Sequence, residues 1–282
     1  MPAVFFGHGS PMNALEHNRY TDTWRAFGRA IPRPRAIVCV YAHLFINASA
    51  ETTMAQPRTI HDFFGFPDAL FAIQYPAPGA PWLVDEIAQA AAPVWIGTDE
   101  DSWGLDHGAW SVLTHVFPDA DVPVVQLAIN AAQPFEYHLD LGRRLAPLRE
   151  HGVLILGSGN VVHNLGALEP RLETEGFEWA VDFDDEVARI MTADPSELPG
   201  VRLHPAFVDA VPTPDHFMPL LYVAGLAAAA GETTDVVVDG YAFGSLSMTS
   251  YALGGPALAD LSGDGYETIP DPSVVPPSDT NL

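Results

Sequence analysis

Five short apolar runs set the tightest limit on how this chain can fold. They fall at residues 4–6, 36–41, 123–129, 153–156 and 236–238, and none shows regular polar alternation. A strand with one wet face alternates apolar and polar residues, whereas a strand covered on both faces reads as a continuous apolar run. Longer amphipathic stretches separate the runs, and their periodicity predicts helices over 21–30, 82–92, 135–150, 178–191 and 218–230. Strand–helix alternation of this kind predicts an α/β fold: a single domain with a largely parallel central sheet flanked by helices. In such sheets ligands bind at the carboxyl ends of the strands. Gly and Pro are spread along the chain and no repeat is visible, so one domain over 1–258 is expected. Residues 259–282 are rich in Pro, Asp, Ser and Gly and read as an acidic, mobile tail.

Charge removes several function classes. Among 282 residues there are 36 acids against 12 bases, for a net charge of −24, and all 12 bases are arginine. So negative a surface argues against nucleic acid and against anionic membranes. Without lysine there is no Schiff base, no pyridoxal-phosphate anchor and no phosphate loop of the Walker type. Cys39 stands alone, which excludes an internal disulfide framework and a multi-cysteine metal site. No signal segment or long apolar span is apparent, so a cytoplasmic protein is expected, as a monomer or small homo-oligomer.

The chemistry gathers where apolar runs end. His8 follows the first run in Gly7-His8-Gly9-Ser10-Pro11. His43 follows the second, and His163 follows the fourth after a Gly157-Ser158-Gly159-Asn160 turn. Any one of them alone reads as a capping or loop residue; three at equivalent strand ends read as a converging set. His216 lies in Pro212-Thr213-Pro214-Asp215-His216. There Thr213 can cap a helix, Pro214 suits its first position, and the helix dipole would keep the imidazole neutral. His107, between Gly104 and Gly108 and next to Asp106, reads either as part of a structured turn or as an acid–base group.

Eight segments in order carry a resemblance over roughly residues 1–255. They are Gly7-His8-Gly9-Ser10-Pro11-Met12, Tyr41-Ala42-His43, Asp62-Phe63-Phe64-Gly65-Phe66-Pro67, Tyr75-Pro76-Ala77-Pro78-Gly79, Gly104-Leu105-Asp106-His107-Gly108-Ala109-Trp110, Pro123-Val124-Val125-Gln126-Leu127, Gly157-Ser158-Gly159-Asn160-Val161-Val162-His163-Asn164 and Asp215-His216-Phe217-Met218-Pro219-Leu220. Together they resemble the class III extradiol ring-cleavage dioxygenases, in the subgroup of 4,5-DOPA extradiol dioxygenases. The resemblance implies a metal held by His8, His43 and His216, with His163 at or beside it, and His107 and His163 as catalytic acid–base groups. It places Ser10, Leu44, His61, Phe64, Tyr75 and Asp106 around the substrate. Fe(II) is the cofactor it implies for activity, with Zn(II) possible in the isolated protein; catechol and O2 are the implied small-molecule partners. Leu44 stands where the subgroup usually has tryptophan, and His61 where it commonly has tyrosine, which leaves the substrate open.

Such a site would open a catechol ring beside, not between, its two hydroxyls. Imidazoles leave open positions for a chelating catecholate and for dioxygen. His107 or His163 would take the second catechol proton. Phe63, Phe64, Phe66 and Tyr75 read either as aromatic pocket walls or as ordinary core. Two other readings use the same histidines: a zinc hydrolase activating water, and a non-catalytic metal- or ligand-binding protein.

Overall fold

The computed structural model describes residues 1–258 together with Thr268 and Ile269. The strands are β1 Ala3–Gly7, β2 Ala36–Ile46, β3 Ala50–Thr52, β4 Gly97–Asp99, β5 Val124–Asn130, β6 Val153–Gly159, β7 Asp235–Val238, β8 Tyr241–Ala242, β9 Leu246–Ser247 and β10 Ser250–Leu253. The helices are α1 Arg19–Ala30, α2 Asp68–Phe71, α3 Val84–Ala91, α4 His107–Val116, α5 Phe135–Arg144, α6 Ala146–Glu150, α7 Glu178–Ala193, α8 Phe207–Ala210 and α9 Met218–Ala230. Eight strands form one sheet in the order β4-β3-β5-β2-β6-β1-β10-β7; β8 and β9 form a separate hairpin. The central four, β5-β2-β6-β1, run parallel. Antiparallel β10 and β7 extend one edge. This is the single α/β domain that the apolar runs predict.

Both faces of the central strands are dry. Alternate residues such as Phe5, Val38, Val125 and Ile155 point into one core, with α5, α7 and α9 above it. Their neighbours Val4, Ile37, Cys39, Val124 and Leu154 point into the other, under α1 and α4. Burying a Val, Leu or Phe side chain is worth roughly 1.5–3 kcal/mol each, so the uninterrupted runs are what hold the sheet between its helical layers. The fifth run behaves differently: β7 is an edge strand, and Val236 is exposed.

Local chemistry moves several boundaries. The stretch 135–150 is two helices, because Pro147 has no N–H to offer the turn before it, and the chain breaks at Leu145. Pro81–Leu83 forms a 3-10 turn, so α3 starts later than the predicted 82. At the start of α1, Asn18 accepts from the Tyr20 and Thr21 amides while Thr21 accepts from the Asn18 amide, a reciprocal cap. α9 is apolar all round and buried from Met218 to Ala227, as befits a helix enclosed by the sheet and α5. The expected mobile tail at 259–282 lies outside the described residues, except for Thr268 and Ile269. Both of these contact the domain: Ser10 donates to the Thr268 carbonyl, and Ile269 packs on its apolar surface. Among the described residues, no helix is long and apolar enough to cross a membrane.

Candidate metal centre

Five chain segments bring histidines together beyond the carboxyl ends of the central strands. β1 delivers His8, whose amide donates to the Gly159 carbonyl of neighbouring β6 (2.9 Å). The chain then turns through Gly9, at φ 57, into a 3-10 turn capped by Ser10. His43 does not follow β2 as predicted but lies inside it. Pairing with β5 stops at Val40↔Leu127 and resumes at Phe45↔Ile129, five residues further along β2 but only two along β5. The extra residues form a bulge that re-aims His43. His163 follows β6, and its amide donates to the Ala210 carbonyl (2.9 Å).

His216 departs from the predicted helix. α9 begins at Met218, with Pro219 in its first turn, so Thr213 is not its cap and Pro214 is not its first residue. His216 sits in the preceding turn, laid directly on the end of β6. The Asn160 amide donates to its carbonyl (3.0 Å), and a Cβ on Gly159 would stand 2.1 Å from that same oxygen. Only glycine permits so close an approach. His107 is the first residue of α4, not part of an irregular turn; Asp106 caps that helix by accepting from the Gly108 amide (3.0 Å).

The rings of His8, His43 and His216 form a nearly equilateral group, with centroids 5.5, 5.3 and 5.2 Å apart. One nitrogen from each lies within 4.8 Å of the others, close enough to hold one metal ion. His107 stacks on His43 at 4.1 Å, and His163 on His216 at 3.5 Å with planes 5° apart. His163 therefore stands beside the three-imidazole group and is not part of it.

Outer partners determine which nitrogen each ring presents. Ser158 donates its one hydroxyl hydrogen to the Gly108 carbonyl (2.5 Å), so it can only accept from His8 Nδ1 (2.9 Å). Asp62 accepts from His107 Nδ1 (2.7 Å), and Asp215 from His216 Nδ1 (2.6 Å). His43 Nδ1 faces Asp106 at 3.5 Å and Asp62 at 3.7 Å, too far for aligned hydrogen bonds but close enough for charge attraction. The Nδ1 atoms of His8, His43, His107 and His216 thus all face these outer groups. The Nε2 atoms of His8, His43, His107 and His216 are buried with no hydrogen-bond partner. His43, Asp62 and His107 also come within metal-binding reach of one another. That set is the poorer cage, because Asp62 is already occupied by His107.

Electrostatics favour the neutral ring at His8 and His216 but not at His43. Burial, followed by the neighbouring imidazoles, pushes His8 well below its ordinary pKa. Burial also lowers His216, against the pull of Asp215. For His43 burial lowers the value, but Asp106 and then Asp62 outweigh it, for a net rise. Burial would raise Asp62 and Asp215, yet their histidine partners hold both carboxyls well below the usual range. The carboxylates are anionic supports of the kind that orient metal-bound imidazoles.

The other predicted site residues divide. Asp106 is buried behind His43 and also accepts from Trp103 Nε1 (3.0 Å). Leu44 is buried next to His43. Ser10 is buried, with its hydroxyl donating to the Thr268 carbonyl (2.7 Å). His61 turns to the Ile73 carbonyl (2.9 Å) and packs on Phe63 and Trp110. Tyr75 is buried, and its hydroxyl donates to the Phe117 carbonyl (2.9 Å). Phe64 is 69% exposed, while Phe63 is buried with its ring against His107 at 5.4 Å. The supports Asp62, Asp215 and Ser158 were not anticipated. Asp215 adjoins its histidine in sequence, but nothing local ties Asp62 to His107 or Ser158 to His8.

A largely parallel-sheet domain with three convergent imidazoles close enough to hold a metal ion defines an α/β protein with a candidate metal centre. Residues 3–254 match the family described as the catalytic LigB subunit of aromatic ring-opening dioxygenase, and the chain belongs to that family. It is similar to a 4,5-DOPA dioxygenase extradiol of Escherichia coli K12, 44% identical over 90% of this chain and 95% of that protein. A protein of the same name from Beta vulgaris is 33% identical over 88% of this chain and 94% of its own. The crystal structure of an uncharacterized protein from Escherichia coli K12 superposes with a TM-score of 0.79 at 40% identity, covering 90% of this chain and all of that one.

Proposed function

We propose that the protein is a metal-dependent extradiol dioxygenase that opens the ring of a neutral or zwitterionic catechol with O2. The observation that carries this reading is the convergence of His8, His43 and His216, whose nitrogens lie within 4.8 Å of one another, with buried, partnerless Nε2 atoms on all three and on neighbouring His107. Leaving a buried polar group unsatisfied costs about 1–3 kcal/mol, and four together are economical only where a ligand completes them. His8, His43 and His216 would hold the metal. The donor set of three neutral imidazoles suits Fe(II) and also admits Zn(II). Bound Fe(II) would supply Lewis acidity toward the catechol hydroxyls and the redox capacity for dioxygen.

The chain's own groups supply proton handling and shape. His107 keeps its Nδ1 hydrogen on Asp62 and so offers Nε2 as a base toward a substrate hydroxyl. The Asp62 carboxylate steadies the imidazolium that results. His163, stacked on His216, provides a second proton site next to the ligands. Phe63 and Leu44 give an aromatic ring an apolar wall. Leu44 is smaller than the tryptophan common in the subgroup, which leaves room beside His43. A surface carrying a net −24 repels anionic catechol acids, favouring neutral or zwitterionic ones.

The test is anaerobic loading with Fe(II), followed by oxygen uptake and appearance of yellow ring-opened product across a panel of catechols. Uptake with at least one catechol is expected; none at full iron occupancy overturns the reading. Hydrolysis of an ester or amide by the zinc form without oxygen uptake would establish the hydrolase instead. His8→Ala and His43→Ala should each abolish metal retention. His107→Ala should keep the metal and lose turnover.

A further inference from the structure

The family match stops at residue 254, yet two described residues beyond it touch the segments that carry the candidate site. The Thr268 carbonyl accepts from the buried hydroxyl of Ser10, two residues after His8. The Thr268 hydroxyl donates to Glu16, at the far end of the same loop. Ile269 packs against a small cluster of Ala242, Phe243 and Leu246 from the β8–β9 hairpin, alongside Leu165 and Leu168. Leu165 lies two residues after His163, and Leu246 bridges to His163 itself. Thr268 and Ile269 therefore join the loop after His8 to the segments around His163. Both of those histidines contact the His216 ring, with centroids 5.3 and 3.5 Å away.

We propose that Thr268 and Ile269 form a wall of the candidate site that restricts access to it and limits the size of the ring substituent it accepts. The polar contacts fix the wall to the Ser10 side, and the Ile269 side chain seals it to the hairpin. The pair lies outside the residues that the family model matches. The size limit rests on the dioxygenase reading; the restriction of access does not.

Two variants test it: a chain ended after Leu258, and the full chain with Ile269→Asp. The probe is diethyl pyrocarbonate, with modification of His107 and His163 followed by peptide mass spectrometry. Neither residue belongs to the proposed ligand set, so the readout does not depend on metal. Exposed His17 and His151 serve as controls. Labelling of His107 and His163 should accelerate severalfold in both variants while the controls stay constant. Unchanged rates in both overturn the wall. Should the shortened chain lose its fold, seen as labelling of buried His138, the Ile269→Asp protein decides. With the iron-loaded protein, the KM for a bulky 4-substituted catechol relative to catechol itself should fall severalfold. Faster labelling with an unchanged KM ratio overturns the size limit. Absence of any turnover would sink the dioxygenase reading while the labelling result still judges the wall.

Discussion

At the scale of single residues, the three hydrogen-bonded supports hold their rings in different ways. His8 is oriented by a hydroxyl that carries no charge, whereas His107 and His216 each bear on a carboxylate. A carboxylate behind a ligand raises its donor strength, and one behind a base stabilises the protonated ring. The two aspartates should therefore fail differently. Asp215→Asn is expected to weaken metal retention by about 10–100-fold, the usual cost of losing a partner of this kind. Asp62→Asn should leave metal content unchanged and lower kcat, with little change in KM. Titrating metal into the two variants while measuring turnover at saturating metal separates the outcomes, and equal metal loss in both would contradict these roles. His8, His43 and His163 were legible because each stands near the end of an apolar run, and His216 because it precedes an apolar helical stretch. Their supports were not, since the Asp62–His107 and His8–Ser158 pairs span 45 and 150 residues.

At the scale of elements, close packing of backbone shapes the molecule. α5 and α9 touch through Gly142 and Gly225. A Cβ on Gly225 would lie 2.1 Å from the Leu139 carbonyl oxygen, and one on Gly142 would lie 2.4 Å from that of Tyr222. Gly225→Ala must push the helices apart, and overpacking of this kind costs about 1–3 kcal/mol. Thermal unfolding of that variant should show a lowered Tm; an unchanged Tm would mean that the contact yields freely. The central strands were legible in the sequence because both of their faces are buried. Helix α4 was not: glycines at 104 and 108 bracket its start and read as a turn, while the signal that counts is the Asp106 cap. β3 and β4 are three residues each, too short to show a period. The bulge that turns His43 is also silent, since it arises from pairing with β5 and not from any residue within it.

At the scale of the whole molecule, buried ionisable groups set opposing pH limits. Burial lowers His115 and His138 to about 4. The unfolded chain then binds more protons than the folded one below the ordinary value of 6.5, so stability is lost as pH falls from there toward 4. Glu51 has the reverse sign. Burial, helped by Asp85, raises it from 4.5 to about 8, and neither carboxylate oxygen has a hydrogen-bond partner. The folded state holds that proton more tightly, so its contribution is complete below pH 4.5 and is lost as pH rises through about 8. Glu51→Gln should raise Tm above pH 8 and change it little below pH 4.5. A gain of equal size at both ends would assign the effect to packing. Among the described residues, nine of the twelve arginines meet a carboxylate within 4.0 Å, so it is the basic charge that is held in local pairs.

The order of strands carries one more consequence. β1 precedes the other described strands in the chain, yet its neighbours in the sheet are β6 and β10. Its upstream edge waits for residue 153 and its downstream edge for residue 250. His8 is therefore translated long before anything exists to hold it, and His216, the last of the three convergent histidines, follows only after β6 is complete. A growing polypeptide cannot assemble this centre piecemeal. An ion held by these three imidazoles would have to be captured after His216 has been translated.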